Sequence, residues 1–186
     1  MSELVAELIL SIDGFARGTR SPGYYGFNGP EFARWLADKS DQPHRNLLGR
    51  HTYELLAGLP DEARDDDYVK MTKTAGWVVS SRLDHVDWPT LDIVRGDLED
   101  RVREWKGDGG PEVRIVGSLS LIRQLTAAGL VDRLRLILCP LVVPTTGVEP
   151  AFEGYPDLQF ELLETQVLDR RVVLLDYRPA GPPPHS

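Results

Sequence analysis

The stretch that most constrains the fold is Leu47-Leu48-Gly49-Arg50-His51-Thr52-Tyr53-Glu54. Its apolar residues end a short buried strand that begins at Arg45, its glycine permits a tight turn, and a helix from Thr52 to Leu59 follows. A strand-to-helix turn presents unpaired backbone N–H groups and the positive end of a helix dipole, so it suits a phosphate. An ordinary helix start explains the same residues equally well. The motif alone therefore leaves both interpretations open.

Strands and helices alternate along most of the chain. Further predicted strands cover Val5–Ile12, Gly76–Ser80, Leu91–Val94, Glu112–Val116 and Leu134–Val143. Further predicted helices cover Glu31–Lys39, Leu98–Trp105 and Leu119–Ala128. Pro140 within the last of these strands indicates an edge, a bulge or a bend, because proline cannot donate to a ladder.

The C-terminal third of the sequence predicts a different arrangement. Phe160–Leu168 and Val172–Tyr177 alternate as an antiparallel pair joined by a polar turn. Together with the alternating strands and helices, this order predicts an α/β fold with a mainly parallel central sheet and a C-terminal antiparallel hairpin. We expect one domain over residues 1–180 and a flexible tail over residues 181–186.

Composition restricts the class of partner. The 186 residues carry a formal net charge of −8, which argues against a broad nucleic-acid or anionic-membrane surface and favours a small-molecule partner. No leader-like segment or long apolar run is visible, so we expect a cytoplasmic protein. The four histidines are scattered and predict no metal site. The single cysteine, Cys139, lies among core residues, and the acidic run Asp61–Asp67 is typical of a solvated surface.

Three turns are expected at the carboxyl ends of parallel strands, where ligands bind in open α/β sheets. The first contains Gly49. The second, Ser80-Ser81-Arg82, offers two hydroxyls and a guanidinium to a ribose 2′-phosphate, although serines are also common turn residues. In the third, Val116-Gly117-Ser118-Leu119-Ser120, the glycine permits close approach of a ligand. Neither a Rossmann nor a Walker pattern is present.

Candidate substrate contacts lie on the other side of these turns. Asp13 follows the first strand and either forms an Asp-Gly turn or handles a substrate proton. Glu31 either lines the pocket or complements the dipole of its helix. The aromatic loop, residues 18–29, contributes Tyr25 and Phe27, and Trp35 packs inward from the next helix. These aromatic residues are candidate contacts for a flat substrate.

These segments resemble a known family. Leu48–Glu54, Val79–Arg82 and Ile115–Ser118 resemble the cofactor segments of the dihydrofolate reductase superfamily, closest to the RibD C-terminal domain of riboflavin biosynthesis. Ser11–Gly14 and Gly129–Asp132 match further motifs of that branch, and the resemblance extends from about Val5 to Pro179.

The resemblance implies a three-layer α/β/α fold and an NADPH-dependent reductase that transfers a hydride to a small heteroaromatic or imine-like substrate. Asp13 would face the substrate, and family members are commonly homodimers. The implied cofactor contacts are Gly49, Arg50, His51 and Thr52 at the pyrophosphate, Ser80, Ser81 and Arg82 at the 2′-phosphate, and Gly117, Ser118 and Leu119 at the diphosphate and nicotinamide.

The chain also departs from the family pattern. Gly117-Ser118 replaces the usual double glycine, and Lys73-Thr74-Ala75 stands where dihydrofolate reductases place the arginine that holds the folate tail. These departures leave a second interpretation open, in which the chain is a non-catalytic nucleotide or ligand-binding protein that retains the reductase fold.

Overall fold

The computed structural model describes residues 1–21 and 23–184. Ten strands are present in this part of the chain: β1 (Leu4–Ser11), β2 (Phe15–Gly18), β3 (His44–Gly49), β4 (Gly76–Val79), β5 (Leu91–Val94), β6 (Glu112–Gly117), β7 (Arg133–Cys139), β8 (Gly147–Pro150), β9 (Phe160–Leu168) and β10 (Val172–Pro179). The same residues form five α-helices: α1 (Pro30–Asp41), α2 (Arg50–Ala57), α3 (Asp66–Lys73), α4 (Leu98–Gly107) and α5 (Leu119–Ala127).

Eight strands form the central sheet in the order β5-β4-β3-β6-β1-β7-β10-β9. The first six are parallel, and β10 and β9 are antiparallel to their neighbours. The mainly parallel sheet with a C-terminal hairpin is therefore confirmed. Because β3, β4, β6 and β1 run in one direction, the turns that follow them share one edge of the sheet.

Helices cover both faces of this sheet, as alternating side chains in the strands require. Leu47 points to the face where α4 and α5 pack, and its neighbour Leu48 points to the face where α2 packs. On that second face, Phe32 of α1 is fully buried against the strands nearest the hairpin. The result is the expected three-layer α/β/α arrangement. None of the helices in residues 1–21 and 23–184 is long and apolar enough to cross a membrane.

Three features differ from the sequence expectations. The acidic run Asp61–Asp67 is exposed, as expected, but a helix that the sequence analysis did not predict begins in it: Asp65 caps α3 by accepting a hydrogen bond from the N–H of Tyr68 at 2.9 Å. The short strands β2 and β8 pair with each other in segments for which the sequence analysis predicted no strand. The strand expected to continue to Val143 ends at Cys139; it is an interior strand, so of the three alternatives at Pro140 the edge is excluded, and the chain bends there.

Cys139 lies in the core, as the sequence predicts. Cys139 is fully buried, and burial raises the pKa of its thiol to about 11, which fits a core residue.

At the start of the predicted tail, the carbonyl of Gly181 accepts a hydrogen bond from the N–H of Gln159 at 2.9 Å. His185 and Ser186 lie outside the described residues. The single domain over residues 1–180 stays a prediction.

A buried ion cluster joins β1, β7 and β10 beneath α1. The carboxylate of Asp176, which is 6% exposed, accepts hydrogen bonds from Arg133 at 2.8 Å and from Arg135 at 3.1 Å. Arg135 is 4% exposed and also contacts the carboxylate of Glu7 at 3.1 Å. Removing the central acid would leave buried guanidinium charge without its main partner.

We expect Asp176→Ala to lower the free energy of unfolding by about 3–5 kcal/mol, because breaking a buried ion pair leaves an uncompensated charge. The control is Glu104→Ala, which removes an exposed ion pair with Arg101 and is expected to cost less than about 1 kcal/mol. Urea denaturation followed by circular dichroism measures both. Equal losses for the two variants would contradict the role of the cluster.

Candidate functional site

Two helices begin side by side at the carboxyl edge of the sheet. α2 follows β3 directly, and α5 follows β6, its parallel neighbour. A cavity of about 300 Å³ lies between the two helix starts, and it is lined by Gly49, Arg50, His51, Val79, Ser118, Ser120, Leu121 and Gln124. The first and third turns expected from the sequence therefore meet in one place.

Glycines allow the two turns to touch. A Cβ atom on Gly49 would lie 2.7 Å from Oγ and 3.0 Å from the backbone N of Ser118. A Cβ atom on Gly117 would lie 2.8 Å from Oγ1 of Thr52, and the φ of +143° at Gly117 is one that L side chains rarely adopt. The Gly117–Ser118 peptide bond is cis. Each turn thus occupies the space that a side chain on the other would need.

The first N–H groups of both helices lack side-chain caps. Gly49 and Ser118 are the N-cap residues of α2 and α5, and neither provides a side-chain hydrogen bond to its helix. The hydroxyl of Ser118 instead contacts that of Ser120 at 2.8 Å. Helix starts of this kind combine free N–H donors with a positive dipole end, which is an arrangement that binds anions. The cavity is therefore suited to a phosphate or pyrophosphate.

The arginine at this cavity, Arg50, forms only an exposed and weak ion pair. Nη1 of Arg50 donates to both carboxylate oxygens of Glu54 at 2.8 Å, one helical turn away. The two side chains are 38% and 41% exposed, and pairs of this type contribute a few tenths of a kcal/mol. A bound phosphate can compete for Arg50 at small cost. His51 is exposed at the cavity mouth.

The turn after β4 lies next to this cavity, and its residues divide into two groups. Ser80 is 6% exposed, and its hydroxyl accepts hydrogen bonds from the N–H groups of Arg82 and Leu83 at 3.0 and 2.9 Å. It shapes the turn, so the hydroxyl that the sequence offered to a ligand is occupied. Ser81 and Arg82 are exposed, and the Arg82 side chain has no ion pair within the described residues.

A second cavity, of about 510 Å³, extends from this turn along α2 and is lined by Tyr53, Glu54, Ala57, Gly58, Arg82, Leu83, Asp84, His85 and Asp87. Arg95, which follows β5, donates to the carbonyl of Leu83 and adds a second guanidinium to this turn. The sequence analysis missed Arg95, because a single arginine after a short strand carries no motif. Its position depends on β5 lying beside β4.

Asp13 lies at the end of β1 on the same edge. Its Oδ2 accepts a hydrogen bond from the N–H of Val143 at 2.9 Å. The Ser11 hydroxyl and this N–H lower the pKa of Asp13 below its usual value of 3.8, so the carboxylate is ionised at neutral pH. The neighbouring side chains of Ile12 and Val142 are 64% and 60% exposed. These apolar side chains were also missed, since their exposure depends on where the strands end.

The aromatic loop is held by two tyrosines with unusual backbone angles. Tyr24 and Tyr25 both have φ of +51°, in the left-handed region that non-glycine residues rarely adopt. The Tyr24 ring packs edge-on against Phe32 at 5.1 Å between centroids, and the Tyr25 hydroxyl donates to the carbonyl of Phe15 at 2.7 Å. Tyr25 therefore anchors the loop to β2, and its hydroxyl is engaged.

Phe27 and Glu31 lie together in another cavity, of about 570 Å³, between the aromatic loop and the turn of the β9–β10 hairpin. Glu31 is tied to that turn. Its carboxylate accepts the N–H of Asp169 at 2.5 Å, and the Asp169 carboxylate accepts the N–H groups of Glu31 and Phe32 at 3.0 Å. The two acids thus cap the start of α1 reciprocally. This geometry favours the helix-stabilising interpretation of Glu31.

Trp35 is separated from the other candidate residues. Its ring stacks on Phe32 at 6.1 Å and contacts the guanidinium of Arg135 at 5.9 Å. It lines a narrow cleft with residues of the buried ion cluster. The structure therefore brings the three turns that were predicted to bind a cofactor together along one edge and places Asp13 on that edge. Trp35 lies elsewhere, on the face of α1 that contacts the buried ion cluster. Among the described residues, no group of three or more His, Cys, Asp or Glu side chains is positioned for a metal ion.

Solved structures share this fold across almost their full length. A protein from Shewanella sp. PV-4 assigned to riboflavin biosynthesis aligns with a TM-score of 0.71 at 17% identity, covering 97% of this chain and 99% of that one. A pyrimidine reductase-like protein from Corynebacterium diphtheriae aligns with a TM-score of 0.66 at 14% identity, covering 96% and 92%. Dihydrofolate reductase from Enterococcus faecalis, in complex with NADP(H), aligns with a TM-score of 0.61 at 16% identity, covering 95% and 96%.

Sequence comparison gives the family directly. No curated protein matches the chain significantly. The family model of the RibD C-terminal domain matches residues 3–174, which is nearly the whole chain. The chain belongs to the RibD C-terminal domain family and has the dihydrofolate reductase-like fold.

Proposed function

We propose that this protein is an NADPH-dependent reductase that transfers a hydride to a small heteroaromatic or imine-like substrate. The family supports a reductase of the RibD C-terminal type. Two observations carry the choice of cofactor. The two helix starts lack side-chain caps and pack against each other, and the exposed Arg82 side chain in the neighbouring turn has no ion pair within the residues that the structure describes. A dinucleotide that carries a pyrophosphate and a 2′-phosphate matches both features.

The residues present fit the two ends of such a cofactor. Gly49, Arg50, His51 and Thr52 of α2, with Gly117, Ser118 and Leu119 of α5, would hold the pyrophosphate through backbone N–H groups and hydroxyls. The glycines are required because a Cβ at either position would fill this cradle. Ser81 and Arg82 would hold the 2′-phosphate, with Ser80 shaping their turn.

The reduced nicotinamide supplies the hydride when it is bound. β1 and β6 are parallel neighbours, so Asp13 after β1 and the start of α5 after β6 lie on the same edge of the sheet, where they would flank the nicotinamide ring and the substrate. Ile12 and Val142 offer apolar contacts to flat rings. The ionised Asp13 would accept hydrogen bonds from substrate N–H groups or stabilise a protonated substrate nitrogen. A carboxylate with a lowered pKa is a poor proton donor, so solvent would supply the proton.

Nucleotide titration tests the cofactor assignment. NADPH is expected to bind far below millimolar concentration and more tightly than NADH. Because a guanidinium–phosphate hydrogen bond contributes about 1.5–3 kcal/mol, Arg82→Ala is expected to weaken NADPH binding by roughly 10- to 100-fold and to leave NADH binding unchanged. Arg101→Ala, on the exposed face of α4, is the matched control. Calorimetric titration measures all three proteins, and failure of wild type to bind either nucleotide would refute the proposal.

The contact between the two helix starts gives a second prediction. Gly49→Ala would place a methyl group 2.7 Å from the Ser118 hydroxyl and 3.0 Å from its backbone N, so the two turns must separate. We expect NADPH binding to weaken at least about tenfold, since misplaced N–H donors lose their hydrogen bonds to phosphate. In the control Gly107→Ala, the added methyl group meets no atom within 4 Å. Unchanged affinity in Gly49→Ala would place the pyrophosphate elsewhere.

Asp13 gives a third prediction, made on a substrate found by screening for NADPH oxidation. Since the ionised carboxylate would accept a hydrogen bond from the substrate, Asp13→Asn is expected to lower kcat/KM roughly 10- to 100-fold throughout pH 5–8. Because the pKa of Asp13 is lowered, its protonation would reduce wild-type activity only below pH 3.8. Titration of Asp13 therefore adds no pH dependence to kcat/KM between pH 5 and 8. Normal turnover in Asp13→Asn would remove Asp13 from the mechanism. Tight NADPH binding without turnover of any substrate would instead favour the non-catalytic binding protein.

We also propose that the chain works as a homodimer, as the family resemblance implies. The eight-stranded sheet supports this proposal, because one of its two edge strands is long and exposed.

A further inference from the structure

The four lysines of the chain differ in what surrounds their ammonium groups. Lys70 and Lys106 each form an ion pair with an aspartate at 2.7 Å. Lys73 is exposed at the end of α3. Lys39, in the last turn of α1, is partly buried, and its Nζ forms no ion pair or hydrogen bond with the residues that the structure describes. Lys39 therefore combines burial with the lack of an anionic partner.

The Lys39 side chain lies in the narrow cleft between α1 and the hairpin strands. Lys39 and Trp35 line this cleft from α1, and Arg135 lines it from β7. Nζ of Lys39 lies 6.0 Å from the centroid of the Trp35 ring, which is at the outer limit of a cation–π contact. The guanidinium of Arg135 contacts the same ring at 5.9 Å. Two cations thus share one ring, and neither gains a close contact from it.

A second guanidinium approaches Lys39 from the neighbouring part of the sheet. Nη1 of Arg114, on β6, donates to the backbone carbonyl of Lys39 at 2.6 Å. Arg114 is 8% exposed and Arg135 is 4% exposed, so little water separates these charges. Lys39 is therefore flanked by two buried arginines.

The carboxylates that face this cleft are mostly engaged by those arginines. Glu7 and Asp176 contact Arg135, and Glu112 contacts Arg114. Glu164 of β9 also lines the cleft, but it is exposed and forms no ion pair among the described residues. The acids around Lys39 thus compensate the arginines before they compensate the lysine.

These surroundings favour the neutral form of the Lys39 amine. Burial lowers the pKa of Lys39 below its usual value of 10.5, and the charges of Arg135 and Arg114 lower it further. The charges of Glu112 and Asp176 act in the opposite direction without cancelling the effect. Desolvation and neighbouring cations are the two conditions that make a lysine nucleophilic.

We propose that Lys39 is a modification site at which a small acyl phosphate transfers its acyl group to Nζ. The neutral amine attacks the acyl carbon and an amide bond forms. The bond from that carbon to the phosphate oxygen breaks, phosphate leaves with the electron pair, and the amine proton passes to solvent. The product removes a positive charge from between two guanidinium groups. This inference is independent of the proposed reductase function.

Acetylation of the intact protein by acetyl phosphate near neutral pH tests the site. Peptide mass spectrometry gives the rate at each lysine, and the exposed amine of Met1 reports that the reagent is active. Lys39 is expected to react at least about fivefold faster than the exposed Lys73, because each unit of lowered pKa raises the neutral fraction about tenfold. Lys70, whose pKa is raised by its ion pair, is expected to react more slowly still. In concentrated urea these differences are expected to disappear.

A charge added to the cleft tests the physical cause. Gln166→Glu places a carboxylate on the cleft wall and is expected to slow acetylation of Lys39 at least about threefold, because an opposite charge favours the protonated amine. Thr165→Glu adds the same charge at the next residue of β9, whose side chain points to the other face of the sheet. This control is expected to leave the rate at Lys39 nearly unchanged. Circular dichroism reports whether both variants are folded.

Three results would overturn the proposal. The first is acetylation of Lys73 in the folded protein at a rate equal to or above that of Lys39. The second is a preference for Lys39 that persists in urea, since it would then come from local sequence and not from the cleft. The third is an equal effect of the two glutamate substitutions on folded protein. Fast reaction at Lys39 that is lost in urea and slowed only by Gln166→Glu supports the site.

Discussion

The close contact between two strand-to-helix turns, one at Gly49 and one at Gly117, is the constraint on which the site depends. Each turn occupies the volume that a side chain on the other would fill, with Ser118 against Gly49 and Thr52 against Gly117. The contact brings the starts of α2 and α5 to one cavity, so their free N–H groups converge. Parallel pairing of β3 and β6 makes the contact possible, because it places both turns on the same edge of the sheet.

Three carboxylates at the same edge, those of Glu31, Asp169 and Asp13, show how hydrogen bonds decide the role of an acid. Glu31 and Asp169 exchange hydrogen bonds with each other's backbone and hold the hairpin turn to α1. Asp13 has one backbone donor and remains exposed beside apolar side chains, with a pKa that keeps it ionised. The first pair therefore stabilises the position of the aromatic loop. Asp13 is the acid left free to contact a ligand.

Much of the fold was predictable from the sequence because hydrophobic periodicity identified most strands and helices. The pairing of distant strands explains much of what was missed. β2 and β8 have only four residues each and pair with each other, and α3 begins at a cap from Asp65 inside an acidic run. Pro140 marked a real end of β7, but a sequence cannot show that β10 lies beyond that strand. Trp35 was expected in the site because helical spacing gives an inward direction without saying which cleft it faces.

The candidate site was predictable to the same degree. The three turns proposed to hold the cofactor were selected from glycines, serines and an arginine in order, and the strand topology places these turns on one edge. The local turn role of the Ser80 hydroxyl was one of the two interpretations that the sequence left open. The second arginine at Arg95 and the exposed apolar side chains of Ile12 and Val142 were not predictable, since each depends on the tertiary arrangement of the strands.

Hydrogen exchange of the backbone amides, measured with and without NADP⁺, tests the central claim most directly because it locates the bound nucleotide residue by residue. The account predicts slower exchange at residues 50–53, 81–83 and 118–121, where the helix starts and the Arg82 turn meet the ligand. It predicts no change at residues 26–31 and 169–172, which line the separate cavity beside the hairpin. Protection confined to that second cavity, or no protection at saturating nucleotide, would contradict the account.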